Sequence, residues 1–212
     1  MLDRFRGAVT RVVTPLAKAL LRLGVSPDAV TIAGTVGVVA ASLWFLPRGQ
    51  WVAGPLVIAA FTLTDLLDGT MARTSGRVSA WGAFLDSTLD RFGDAAIFTG
   101  LLLGLVALDD DLTAGLALGC LVLGSIVPYA RARAEGLGMT AAVGIAERAD
   151  RIAAVLTATF VVGLGAPRTV LTVVLGLLAV AAFVTIVQRM ATVRRQARAA
   201  TPPPSAPGTG DR

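Results

Sequence analysis

The chain contains no histidine and one cysteine, Cys120. Histidine-based catalysis and histidine-ligated zinc are thereby excluded. A lone cysteine cannot close an internal disulfide, and Cys120 sits in an apolar run where packing is its expected role. The start of the chain lacks the pattern of a secretory signal, no internal repeat is visible, and no shift in composition separates two domains. What the chain has in quantity is apolar surface. Of 212 residues 55% are hydrophobic, and the mean hydropathy is +0.74, far too high for an ordinary soluble domain.

A spanning helix needs ~20 mostly apolar residues. Six runs are expected to span, roughly 28–46, 52–72, 80–107, 111–134, 150–165 and 169–191. The expected fold is therefore all-α and integral to a membrane. Ahead of the spans, Leu2, Phe5, Val9, Val12, Leu16, Leu20 and Leu23 recur at helical spacing, with Arg4, Arg11, Lys18 and Arg22 on another face. That pattern predicts an amphipathic helix in the membrane interface over 1–25, bent at Pro15. Residues 26–193 form the expected membrane domain. From 194 to 212 a basic and then Pro-rich segment reads as a disordered tail.

A net charge of +5 does not imply nucleic acid, because the charge is sorted. All 19 basic residues except Arg48 and Arg168 fall in segments that alternate spanning puts on one side, while Asp109, Asp110 and Asp111 lie in an opposite loop. Positive charge marks the cytoplasmic side, so both termini are expected there, in a cell membrane. Trp44 and Trp51 are expected at the outer interface, Trp81 and Tyr129 at the inner one. Ser26 and Pro27 read as a helix start and Gly76 as a turn.

Against this background stand Asp65, Asp68, Asp86 and Asp90. Asp65 and Asp68 are three apart on one predicted helix, Asp86 and Asp90 four apart on the next, so each pair shares a face. A short turn between the helices would let the four carboxylates converge. Ionisable groups at membrane depth are costly and call for opposite charge. Hard oxygen donors suit Mg²⁺ or Mn²⁺, which also hold phosphates, and two such ions could clamp a pyrophosphate. A purely structural alternative is an ion-pair network with Arg73, Arg77 and Arg91. Gly69 and Gly82 would allow close approach of a nucleotide or of a neighbouring helix. Arg73 could meet a phosphate oxygen or simply mark the membrane boundary.

The run Asp65-x-x-Asp68-Gly69-x-x-Ala72-Arg73, eight residues, then Gly82-x-x-x-Asp86-x-x-x-Asp90 resembles the CDP-alcohol phosphotransferase signature at every fixed position. The resemblance implies six spans, a homodimer, and transfer of a phosphatidyl-type group from a CDP-linked donor to an alcohol with release of CMP. It implies that Asp65 and Asp86 bridge two metal ions, that Asp68 binds one, and that Asp90 is both ligand and general base. Asp94, one turn on, has no assigned role beyond orienting Arg91 or Arg133.

Much of the remaining chain is similar to the actinobacterial phosphatidylinositol phosphate synthases of that family. The likeness runs through Thr10–Leu16, Leu20–Arg22, Ser26–Thr31, Tyr129–Glu135, Glu147–Arg151 and Gln188–Arg189. It departs at Ala149 and Asp150, where Pro and Glu are usual, and at Arg131, where Lys is usual. By this resemblance Asp28, Ala29, Val30, Thr31, Gly69, Arg73 and Ser79 contact the donor, CDP-diacylglycerol, and the acceptor is an inositol phosphate. The residues themselves favour an anionic acceptor too. Arg131, Arg133, Arg148, Arg151 and Arg189 gather near the cytoplasmic ends of the last three spans, and arginine suits phosphate. Membrane topology alone would also place arginines there. Glycerol 3-phosphate is the alternative acceptor, and a cation transporter the alternative class; the latter would carry its acidic groups along the bilayer midplane.

Overall fold

The structure is a computed structural model that describes residues 13–76, 79–145 and 147–200. Most of the residues that define the expected N-terminal amphipathic helix, and the Pro-rich segment after 200, lie outside that range. So does Arg77. Residues 13–22 are helical and are called α1. They are followed by α2 (Pro27–Phe45), a 3₁₀ turn at Leu46–Arg48, α3 (Ala53–Thr62), α4 (Thr64–Ser75), α5 (Ala80–Val106), α6 (Asp111–Glu135), α7 (Arg148–Gly163) and α8 (Thr169–Ala200). Among the described residues there is no strand.

Packing closes the helices into a circuit. α2 lies against α5, α5 against α6, α6 against α8, α8 against α7, α7 against α3, and α3 against α2 again. The centre is filled by Val38, Ile58, Ile97, Leu101, Leu105, Val155, Leu171 and Leu175. Cys120 is buried among them, its thiol donating to the Leu175 carbonyl at 3.2 Å, which is the expected packing role. Outward faces are also apolar. Leu118 and Val122 on α6, and Val173, Leu177, Val180 and Phe183 on α8, are exposed, as befits a surface meeting lipid rather than water.

Among the described residues four helical stretches are long and apolar enough to cross a bilayer: Pro27–Arg48, Ala53–Ser75, Asp111–Glu135 and Thr169–Ala199. The other two expected spans are helices but do not meet that standard by length and composition. α5 carries Asp86, Asp90, Arg91 and Asp94 in its first half. α7 has 16 residues, roughly 24 Å at 1.5 Å per residue. The second expected span is interrupted at Leu63. There the Thr62 hydroxyl donates to the Ile58 carbonyl at 3.0 Å and the Thr64 hydroxyl to that of Phe61 at 2.6 Å. Side chains that capture backbone carbonyls in this way bend helices. α2 accommodates the bend with Gly34 and Gly37, where a Cβ would run into Thr64 and the Phe61 ring.

Helix ends follow local chemistry. The Ser26 hydroxyl accepts from Ala29 N–H at 3.2 Å, and Pro27 occupies the first turn of α2, as read from sequence. Gly76 ends α4 at φ +66°, a left-handed conformation that suits glycine. At α7 the Glu147 and Asp150 side chains close a capping box, so the substituted Asp150 still defines the helix start. One expectation is corrected. The basic residues after 193 continue α8 to Ala200 rather than beginning a tail, because Arg194–Ala200 contains no helix breaker. Trp51 is a buried residue whose indole N–H donates to the Leu46 carbonyl at 3.1 Å, whereas Trp44 is exposed with Arg48 stacked on it.

Backbones pack closely where α5 meets the end of α2. A Cβ at Gly100 would collide with the Ser42 carbonyl oxygen, and one at Gly104 with that of Leu46. Spacing of i and i+4 puts both glycines on one face, the small-residue packing that membrane helices use. Gly100→Val should therefore lower stability by about 2 kcal/mol through overpacking. A fluorescence-monitored thermal melt in detergent checks this, and an unchanged midpoint would show that the joint can open without cost.

Candidate active site

At the end of the bundle where α2, α5 and α7 begin and α4 ends lies a cavity of about 590 Å³. Its walls include all four signature carboxylates, Asp65, Asp68, Asp86 and Asp90. α4 supplies the first pair and α5 the second, with the Gly76 turn reversing the chain between them. Asp28, Thr31, Gly69, Arg73 and Ser79 line the same cavity. Ala29 and Val30 do not. They follow Asp28 round the first turn of α2 onto other faces, and Ala29 contributes its N–H to the Ser26 cap.

Each carboxylate has a different setting. Asp68 is buried and accepts from the Thr31 hydroxyl at 2.6 Å, which ties α4 to α2. Asp90 accepts from Arg148 at 2.8 Å, and the same Arg148 nitrogen is 3.6 Å from Asp65. Asp86 is exposed and has no ion-pair partner among the described residues. Above them, Asp94 is buried and meets three arginines: Arg148 at 2.8 Å, Arg151 at 3.6 Å and Arg91 at 3.7 Å. It orients Arg91, as the sequence allowed, but not Arg133. The expected ion-pair alternative is thus realised only in part, through Arg91, 3.6 Å from Asp90, and through Arg148, but not through Arg73.

The donor set is carboxylate oxygen throughout, which is what Mg²⁺ or Mn²⁺ takes. With the side chains as they stand, Arg148 neutralises Asp65 and Asp90, and no three acidic side chains among the described residues are close enough together to hold one ion. Even so, five carboxylates, the four signature groups and Asp28, face this cavity against two guanidinium groups, Arg73 and Arg148. The imbalance leaves negative charge for a divalent ion to meet.

Two helix starts border the cavity. The Ser79 hydroxyl accepts from Gly82 N–H at 3.0 Å to cap α5, and Trp81 donates to Asp28 at 3.1 Å, joining the starts of α5 and α2. Protein packing does not require glycine at 69 or 82. The nearest atom to a Cβ would be an Arg73 nitrogen at 3.7 Å for Gly69 and the Ser79 hydroxyl at 3.4 Å for Gly82. The helix-packing explanation therefore fails for both, and the space they leave belongs to the cavity.

A second cavity, of about 430 Å³, adjoins the first through Arg148, which lines both. Arg131, Arg151 and Arg189 line it, as does Arg91, which the sequence reading did not assign. Arg133 is absent. Two positions along α6, about 200° of helical rotation, separate it from Arg131, and it borders an apolar groove with Tyr129, Ile186, Arg189 and Met190 instead. Arg151 is 5% exposed, held by Asp94 and by a 3.3 Å bond from its guanidinium to the Gly124 carbonyl. That carbonyl is free because Pro128, four residues on, has no N–H to offer it. Gly124 also has no side chain to block the guanidinium. The Nε atoms of Arg91 and Arg151 are buried without a hydrogen-bond partner, an unusual expense. Pro128 and Gly124 were both readable as signals but mean little without knowing which helix faces α6.

Comparison with known proteins agrees with this geometry. Residues 24–185 match the family model of CDP-alcohol phosphatidyltransferase. The chain is 46% identical over 204 residues to a phosphatidylinositol phosphate synthase of Streptomyces avermitilis, covering 92% of this chain and 84% of that one. Among solved structures it resembles the Mycobacterium tuberculosis phosphatidylinositol phosphate synthase with CDP-DAG bound, at 40% identity and a TM-score of 0.83, over 95% of this chain and 98% of that one. The same enzyme in complex with manganese and citrate matches at 40% identity and a TM-score of 0.82, over 94% and 92%. The chain belongs to the CDP-alcohol phosphatidyltransferase family and is a membrane-protein transferase of that class.

Proposed function

We propose that the protein transfers the phosphatidyl group of CDP-diacylglycerol to a hydroxyl of inositol phosphate, giving phosphatidylinositol phosphate and CMP. The observation that carries this reading is the position of Arg148. It lies 2.8 Å from Asp90 while lining the arginine cavity as well. A molecule whose phosphate sits among Arg131, Arg148, Arg151 and Arg189 can therefore present a hydroxyl toward Asp90. An acceptor without phosphate would leave that cluster of guanidinium groups without a counter-charge.

The donor's nucleotide belongs in the carboxylate cavity, where Gly69 and Gly82 leave room, Arg73 and two helix starts favour phosphate, and the lipid chains can leave toward the exposed apolar faces. Asp65, Asp68, Asp86 and Asp90 would hold the divalent metal, two ions of Mg²⁺ or Mn²⁺. When bound, it would offset pyrophosphate charge and polarise phosphorus. Asp90 takes the proton from the acceptor hydroxyl as that oxygen forms a bond to the phosphorus bearing diacylglycerol. The bond from that phosphorus to the bridging oxygen breaks, and CMP departs with the electron pair. Thr31 keeps Asp68 in place, and Asp94 keeps Arg148 and Arg151 aligned.

Placed in a membrane, this end of the bundle is the cytoplasmic one. The basic residues cluster there, whereas Arg48, Asp110 and Arg168 mark the other end. α5 and α7 cross the bilayer with the four stretches named above, giving six spans in a cell-membrane protein, and the exposed helical faces admit a homodimer. The carboxylates gather at one end of the bundle, which favours the enzyme over a cation path along its length.

Purified protein given CDP-diacylglycerol, inositol phosphate and Mg²⁺ should release CMP and form phosphatidylinositol phosphate. Turnover with glycerol 3-phosphate and not with inositol phosphate would overturn the acceptor and leave the reaction class intact. Asp90→Asn should reduce kcat by roughly 10²–10⁴-fold with an unchanged melting midpoint; undiminished kcat would remove Asp90 as the base. Gly69→Ala should fold normally and raise the KM for CDP-diacylglycerol by roughly ten-fold, since one methyl group fills space left for the ligand. An unchanged donor KM would place the nucleotide elsewhere.

A further inference from the structure

The loop between α6 and α7 forms one wall of the arginine cavity through Ala142, Val143, Gly144 and Glu147. Ala141 is buried, but the stretch that follows it has little packing support. Val143, Gly144 and Ile145 are exposed. Behind them is a further hollow of about 810 Å³, bordered by the same three residues and by Arg195 and Arg198 of α8. A wall with space on both sides must be held by something other than burial.

Three side chains of α8 hold it. Thr185 accepts from Ile145 N–H at 3.3 Å, and Gly144 comes so close that a Cβ there would be 2.6 Å from the Thr185 methyl. Arg189 donates to the Val143 carbonyl at 2.9 Å. Gln196 grips Thr140 by both backbone groups: its oxygen accepts from Thr140 N–H at 2.9 Å, and its amide donates to the Thr140 carbonyl at 2.6 Å. Positions 185, 189 and 196 are four and seven residues apart, so they fall on one helical face. Gln196 lies beyond the last apolar turn of α8, in the segment whose sequence alone reads as the start of a tail.

We propose that Gln196 is a positioning residue for the acceptor. By imitating a strand partner for Thr140 it fixes the far end of the loop, and so sets the shape of the cavity that receives the acceptor's phosphate. Gln196 does not line either cavity and touches neither the carboxylates nor the arginines. Its effect falls on acceptor binding and spares the chemistry. The inference rests on the assignment of the arginine cavity to the acceptor.

The test is Gln196→Ala in the full-length protein, assayed for CMP release and followed by amide hydrogen exchange. Loss of a two-point hydrogen-bonded grip should raise the KM for inositol phosphate by roughly ten-fold, with kcat and the KM for CDP-diacylglycerol unchanged. Exchange should quicken at residues 140–145. Gln196→Glu keeps the acceptor for Thr140 N–H but cannot donate to its carbonyl, and should fall between. Thr140→Ala preserves the backbone grip and should behave as the unaltered protein. Unchanged exchange in Gln196→Ala, or equal loss in kcat and both KM values, would overturn the proposal. Arg131→Gln reads the cavity itself. If it raises the acceptor KM and Gln196→Ala does not, the positioning role alone is refuted. If neither does, the acceptor assignment falls with it.

Discussion

Arg148 lies where two demands meet. Its guanidinium touches Asp65, Asp90 and Asp94, and it forms the partition between the carboxylate cavity and the arginine cavity. Carboxylates at the edge of a bilayer are expensive unless opposite charge reaches them. Here one half-buried cation reaches three of them, and Asp94 in turn fixes its direction. The proposed mechanism uses the same contact, because it links the group that would take a proton to the groups that would hold the acceptor's phosphate.

The helix packing serves that contact. Gly124 leaves space on α6 for Arg151, whose nearest guanidinium nitrogen would be 3.3 Å from a Cβ at that position, and Pro128 releases the carbonyl that Arg151 uses. The joint of Gly100 and Gly104 on the end of α2 holds α5 close to α2, so that Asp28 and Trp81 meet at the mouth of the site. Glycine here performs two distinct tasks. At 100 and 104 it admits another backbone, while at 69 and 82 it faces space that no protein atom fills.

Much of this was legible in the residues. Carboxylates at spacings of three and four mark helix faces whatever the tertiary structure, and the turn at Gly76 brings the two faces to one cavity. The helical class followed from long apolar runs. What stayed hidden depends on the third dimension. Arg131 and Arg133 look equivalent in sequence, yet two positions of helical rotation send them to different cavities. Asp94 offered no motif, because two of its three partners come from α7, 54 and 57 residues away. The break at Leu63 arises from threonine hydroxyls competing for carbonyls within an otherwise apolar run. α8 outlasts its apolar stretch because Arg and Ala continue a helix as readily as Leu does.

The central claim is that α4 and α5 together form a divalent-metal site that Arg148 guards. Anomalous diffraction at the manganese edge, from crystals of this protein soaked with Mn²⁺ and a cytidine nucleotide, tests it most directly. The account predicts anomalous density in the carboxylate cavity within ligating distance of Asp65 and Asp86. Density confined to other surfaces, with Arg148 still bound to Asp65 and Asp90, would contradict it.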